Sequence, residues 1–173
     1  TSIITTTGLS GRDFNLWPSF SKMILFLLMI VGASAGSTGG GFKVSRLVVL
    51  VKSVKNEIQK VIHPRSIKKL HMDGRAFPED LIRSILVYTG IYVLLSFASI
   101  LIVSLDNFSF ETNVSAVMAT LNNIGPGLDV VGPTGNFSAF SDVSKVVMIF
   151  DMLAGRLELI PILVLFSPQT WKK

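Results

Sequence analysis

The chain has 173 residues, 49% of them hydrophobic and 16% charged, with 16 Lys and Arg against 11 Asp and Glu. With a mean hydropathy of +0.58 it has too little polar surface for a water-soluble domain of this length, so a membrane chain is expected. The absence of cysteine excludes disulfides and thiolate metal sites.

The first feature in chain order is a polar turn, Thr-Thr-Thr-Gly at 5–8. An apolar stretch follows at 18–35, near the length a bilayer crossing needs. Pro18 suits the opening turn of a helix and Trp17 a membrane interface. Next comes Gly-Ala-Ser-Ala-Gly-Ser-Thr-Gly-Gly-Gly-Phe-Lys at 32–43, with five glycines between 32 and 41. A phosphate-binding loop is excluded there. Phe42 stands where that motif needs lysine, and a membrane helix precedes the segment instead of a strand. Packing of small residues against a neighbouring helix is one reading. So many glycines, however, disfavour a continuous helix, and the second reading is an unwound segment on a permeation path, a candidate gate at Gly36, Gly39, Gly40 and Gly41.

Nine Lys and Arg lie between residues 42 and 75, and none between 84 and 144. The positive-inside rule puts 42–80 in the cytoplasm and both polar turns outside; Lys172 and Lys173 then fall inside. The basic stretch reads equally as a solvated helix face or as a docking surface for a partner or anionic membrane lipid. His63 and His71 read as surface histidines. Residues 81–105 form the second predicted crossing, uncharged from Ser84 onward through Leu105. The stretch 111–123 is helix-like but too short to span, which suits a re-entrant pore helix. A third crossing is expected at 143–167, although Asp151, Arg156 and Glu158 interrupt it and Pro161 breaks one backbone bond.

The chain repeats itself. Asn-Asn-Ile-Gly at 122–125 stands in the place of Thr-Thr-Thr-Gly, and each turn precedes an apolar helix opening with Ser-Lys. Ser21 and Lys22 recur as Ser144 and Lys145, and the glycine ten residues past each lysine recurs too, Gly32 and Gly155, an offset of 123 residues. Related units pack through related surfaces around an axis. Non-helical backbone at membrane depth needs a protein-lined path, and carbonyl oxygens on such a path can replace the hydration shell of a potassium ion. Arg156, in an apolar helix, is expected to face the pore or a partner instead of lipid. Asp151 and Glu158 lie off its helix face.

Thr-Thr-Thr-Gly, the glycine segment 32–43, the His-Pro-Arg step at 63–65, Asn-Asn-Ile-Gly-Pro-Gly at 122–127, Ala-Gly-Arg-Leu-Glu at 154–158 and the ending Phe-Ser-Pro-Gln-Thr-Trp-Lys-Lys together resemble Trk-type potassium uptake proteins, nearest the TrkH branch. The resemblance covers nearly the whole chain. It implies an all-α membrane protein built of helix, re-entrant pore-helix and helix repeats, of which this chain is a C-terminal piece. Residues 1–62 would end the third repeat, 63–80 form a cytoplasmic connector and 81–173 make the fourth. The filter segments carried over are Thr5, Thr6, Thr7 and Gly8, then Asn122, Asn123, Ile124 and Gly125, with potassium as the transported ion. A homodimer, a nucleotide-binding regulatory subunit of TrkA type and a place in the bacterial inner membrane are implied as well. No tightly bound cofactor and no nucleic-acid partner is expected.

Three function classes compete: a potassium-conducting pore subunit, which leads; a cation-coupled secondary transporter with broken helices at mid-membrane; and an intramembrane enzyme. The enzyme is disfavoured because Asp151 and Glu158 lie about two turns apart on one helix, with no histidine in the spans.

Overall fold

The computed structural model describes residues 2–32, 34, 36, 37, 39–63, 71, 72, 75, 76 and 78–157. Its helices are α1 (Ser19–Ile30), α2 (Val44–Ile62), α3 (Glu79–Val103), α4 (Phe110–Leu121) and α5 (Asp142–Leu157). Between α2 and α3, the two-residue strands β1 (His71–Met72) and β2 (Arg75–Ala76) pair antiparallel. This hairpin, inside the expected connector, is an addition to the all-α expectation. The end of the third expected crossing, with Glu158, Pro161, Lys172 and Lys173, lies outside the described residues, as do Pro64 and Arg65.

Helix α3 is long and apolar enough to cross a membrane; at 1.5 Å per residue its 25 residues rise about 38 Å. Its buried residues are Tyr88, Tyr92, Ser96, Ser99 and Val103, a stripe at three- and four-residue spacing. Leu94, Phe97 and Leu101 on the other side are exposed. That inversion, hydroxyls inward and large apolar groups outward, is what lipid selects. Between helices in lipid, packing and hydrogen bonds replace the hydrophobic driving force. Ser99 accordingly donates to the fully buried Asp151 on α5 at 2.8 Å.

The sequence places the first crossing at 18–35, whereas α1 stops at Ile30. Twelve residues rise only about 18 Å. Val31 is extended, and the chain turns back on itself: Gly32 N–H donates to the Phe42 carbonyl at 2.9 Å, closing the glycine segment into a loop. Gly32 has no room for a side chain, since a Cβ there would meet the Gly40 carbonyl oxygen at 2.7 Å. Helix α2 begins at Val44, with Lys43 as its N-cap residue.

Helix α4 is the hub. It packs against α5, α3 and α1 and buries nine residues, Thr112, Asn113, Ser115 and Thr120 among them. Ser109 caps it, accepting from Thr112 N–H at 3.2 Å. Beyond α4, Asp129 accepts from the hydroxyls of Ser109 at 2.6 Å and Thr112 at 2.7 Å, while the Asn15 side chain exchanges two 2.9 Å bonds with the Asp129 backbone. Together these bonds tie the loop after the first turn to the loop after the second.

The two hydroxyl donors hold the Asp129 carboxyl below its ordinary pKa. A carboxylate with a depressed folded pKa contributes stability above its unfolded pKa and loses it as pH falls through the folded value. The unfolding temperature of the full-length protein should therefore drop below about pH 4, and Asp129→Asn should flatten that part of the profile. Identical acid limbs in a melting series from pH 3 to 7 would count against the assignment.

Candidate functional site

Both polar turns carry the same pair of backbone bonds. After α4, Asn123 N–H donates to the Thr120 carbonyl at 3.0 Å and Ile124 N–H reaches back five residues to Ala119 at 2.9 Å. In the first turn, Thr6 N–H donates to Ile3 at 3.1 Å and Thr7 N–H reaches back five residues to Ser2 at 3.0 Å. This pair of bonds is the Schellman cap, which needs a left-handed residue at its corner. Thr6 and Asn123 occupy that corner with φ of 53° and 54°, and two residues on Gly8 and Gly125 are left-handed again, at 73° and 103°. Threonine is unusual in that region because of its branched Cβ. Here the cap bonds hold it.

The turns meet. A Cβ on Gly8 would overlap the Ile124 carbonyl oxygen and press on the Pro126 ring. Ile3, Phe14, Met29, Ile124 and Leu128 form one buried cluster beneath the meeting point. The other side chains of the second turn are also drawn into the protein. The Tyr92 hydroxyl donates to Asn122 Oδ1 at 3.0 Å, Asn122 Nδ2 donates to the Met118 carbonyl at 2.9 Å, and Asn123 Nδ2 donates to the Met152 carbonyl on α5 at 2.9 Å. In the first turn, the Thr5 and Thr7 hydroxyls lie 2.9 Å apart. Among the described residues, the carbonyls of Thr6, Thr7, Gly8, Asn122, Asn123, Ile124 and Gly125 accept no hydrogen bond.

The glycine loop lies against the second turn. A Cβ on Gly40 would meet the Asn122 carbonyl oxygen at 2.6 Å, and one on Gly41 (φ 84°) would meet Asn122 Oδ1 at 2.9 Å. Arg156 and Gly155 share a pocket with Ser37, Gly39 and Gly41. Gly36 stands apart, with open space around it. Of the residues singled out in the sequence, both turns, Gly39 to Gly41 and Arg156 are thus brought into one continuous region.

A family model described as "Cation transport protein", TrkH, matches residues 1–173. The chain belongs to the TrkH family. It is 37% identical over 172 residues to the Trk system potassium uptake protein TrkH of Escherichia coli K12, covering 99% of this chain and 35% of that protein. The same bacterium's Trk system potassium uptake protein TrkG is 32% identical over 171 residues. The crystal structure of the potassium transporter TrkH from Vibrio parahaemolyticus superposes with a TM-score of 0.87 at 35% identity, over 98% of this chain and 36% of that one. The TrkH-family chain thus spans about a third of the length of these relatives.

Two features of this TrkH-family site were missed in the sequence. Tyr92 reads there as one more apolar residue of a crossing, and nothing local announces that it holds Asn122. Gly155 was legible only as a marker of the repeat. In space a Cβ at Gly155 would overlap the Leu121 carbonyl oxygen and meet Asn123 Nδ2 at 3.0 Å, so glycine lets α5 cross against the end of α4. Gly155→Ala should force the two apart and lower the melting temperature of the full-length protein by several degrees, an overpacking cost of about 1–3 kcal/mol. An unchanged melting curve would show that α5 does not need this close approach.

Proposed function

We propose that this chain supplies two of the four strands of a potassium-conducting pore, in a membrane protein whose remaining repeats complete it. The observation that carries the reading is the pair of matched turns, 5–8 and 122–125, meeting backbone to backbone with carbonyls that accept no bond among the described residues. A row of carbonyls without a protein donor suits a dehydrated cation. Left-handed residues at every second position let successive carbonyls face one side. With side chains anchored to Tyr92, Met118 and Met152, the backbone forms the lining.

In this reading Thr5, Thr6, Thr7, Gly8, Asn122, Asn123, Ile124 and Gly125 form the filter, and α4 is the re-entrant pore helix directing its partial negative end at the ion. The loop at 32–43 is the gate beneath, with Arg156 beside it. Residues 1–62 end one repeat, 63–80 connect, and 81–173 make the next. The names of the relatives support potassium uptake as the activity. Membrane insertion in the bacterial inner membrane, a homodimer and a nucleotide-binding regulatory subunit of TrkA type are the assembly that follows.

Rubidium flux through the purified full-length protein in liposomes tests this. A pore gives flux that follows the rubidium gradient alone. Flux that requires a proton or sodium gradient would replace the pore with a coupled carrier.

A further inference from the structure

We propose that Tyr92 is a positioning residue for ion selectivity: its hydroxyl holds Asn122, the first residue of the second turn, and so sets how strongly the path prefers potassium over sodium. The proposal rests on the reading of 122–125 as filter backbone.

A phenylalanine would fill the same place in α3 without carrying a hydroxyl into the protein, so this group needs a partner to offset its burial. The partner is Asn122 Oδ1 at 3.0 Å, with Met118 Sδ at 3.9 Å as a weaker second contact. Asn122 has no exposed surface, and its amide is held from two sides. Nδ2 donates to the Met118 carbonyl one turn back, which fixes it only to its own helix. Oδ1 receives the Tyr92 hydroxyl, its one donor among the described residues, which fixes it to α3.

The Tyr92 ring has little freedom to move. It lies in one buried cluster with Phe42, Tyr88, Leu121 and Ala154, so the end of the glycine loop, the end of α4 and the last turns of α5 converge on it. The Phe42 ring is 5.8 Å away between centroids. The loop also closes on the same amide, since a Cβ on Gly41 would meet Asn122 Oδ1 at 2.9 Å. A tyrosine turns about only two side-chain bonds, and a packed one holds its partner at a fixed distance. Discrimination between potassium and sodium depends on how many carbonyls face the ion and how far they follow it inward. Without the hydroxyl, Asn122 Oδ1 is buried and unpaired, the amide turns to seek a donor, and the backbone it carries can follow the smaller ion.

The test uses full-length protein in liposomes. Potassium and sodium are each titrated against rubidium uptake, the ratio of the two half-inhibiting concentrations gives the selectivity, and the unfolding temperature is measured in parallel. Y92F should lower the ratio by about fivefold, the effect of one hydrogen bond. S99A is the matched control, because it removes another buried hydroxyl of α3, one that binds Asp151. It should lower the unfolding temperature comparably and leave the ratio unchanged. Added to N122A, Y92F should have no further effect on the ratio, since it acts through Asn122. An unchanged ratio in Y92F, an equal fall in S99A, or a further fall in the double variant would overturn the proposal. A ratio that falls in G125S but not in Y92F removes Tyr92 alone, whereas a ratio unmoved in both removes the filter reading with it. Should Y92F not fold, F42L loosens the packing around the Tyr92 ring and should lower the ratio by about threefold; no change there overturns the proposal as well.

Discussion

Gly125→Ser in the full-length protein is expected to lower its preference for potassium over sodium by about tenfold, the effect of about 1.4 kcal/mol, while the protein still folds. Gly125 has φ of 103° and nothing within 4 Å of where a Cβ would sit, so an added Cβ meets no neighbour. The cost is entirely conformational. A residue with a Cβ resists that region by roughly 1–3 kcal/mol, and the backbone relaxes by turning a neighbouring carbonyl off the axis. Gly8→Ser is expected to be harsher, because its Cβ also overlaps the Ile124 carbonyl oxygen and so displaces the opposite strand. Competitive uptake of potassium and sodium in a strain lacking other potassium uptake measures both. An unchanged ratio in Gly125→Ser removes that glycine from the filter.

Arg156→Ala should raise potassium flux several-fold, or free it from regulation, with protein abundance unchanged. Arg156 lies in the last described turn of α5 and shares its pocket with Gly39 and Gly41, two residues of the loop under Asn122. In the proposed role the fixed charge there would oppose a passing cation, or would bond to loop carbonyls and hold the loop closed. Asp151→Ala is the contrasting variant: it is buried, bonded to Ser99 on α3, and belongs to the contact between α3 and α5. Its loss should reduce folded protein and flux together. Deleting residues 39–41 should act with the sign of Arg156→Ala. If Arg156→Ala is misfolded and inactive in the manner of Asp151→Ala, the arginine is scaffold and the gating role falls.

Some of this was legible without coordinates because it is written at short range. The charge-free run after Ser84 predicts α3, and the stretch 111–123 predicts α4 to within two residues at each end, since Ser109 caps its start and the left-handed Asn123 ends it. The recurrence of turn, Ser-Lys and glycine announced two copies of one unit, and the copies do share their cap bonds. The paired lysines show where the repeat stops being literal. Lys22 reaches Glu111 on α4 at 3.6 Å, whereas Lys145 stays within its own helix with Asp142 at 3.7 Å.

The sequence by itself determined the solvent, the order of the helices and the identity of the two turns, because hydropathy, glycine content and capping act over a few neighbouring residues. Only the tertiary structure decided what the turns touch. That the first turn abuts Ile124, that Gly40 and Gly41 lie under Asn122, that Tyr92 holds Asn122 and that Gly155 admits α4 are contacts between segments dozens to more than a hundred residues apart. They depend on how closely two backbones can approach and on which buried polar groups find partners, and no pattern within one segment carries that information. The same holds for the early stop of α1: the apolar run continues past Ile30, but the bond from Gly32 to Phe42, ten residues on, outweighs one more turn of helix.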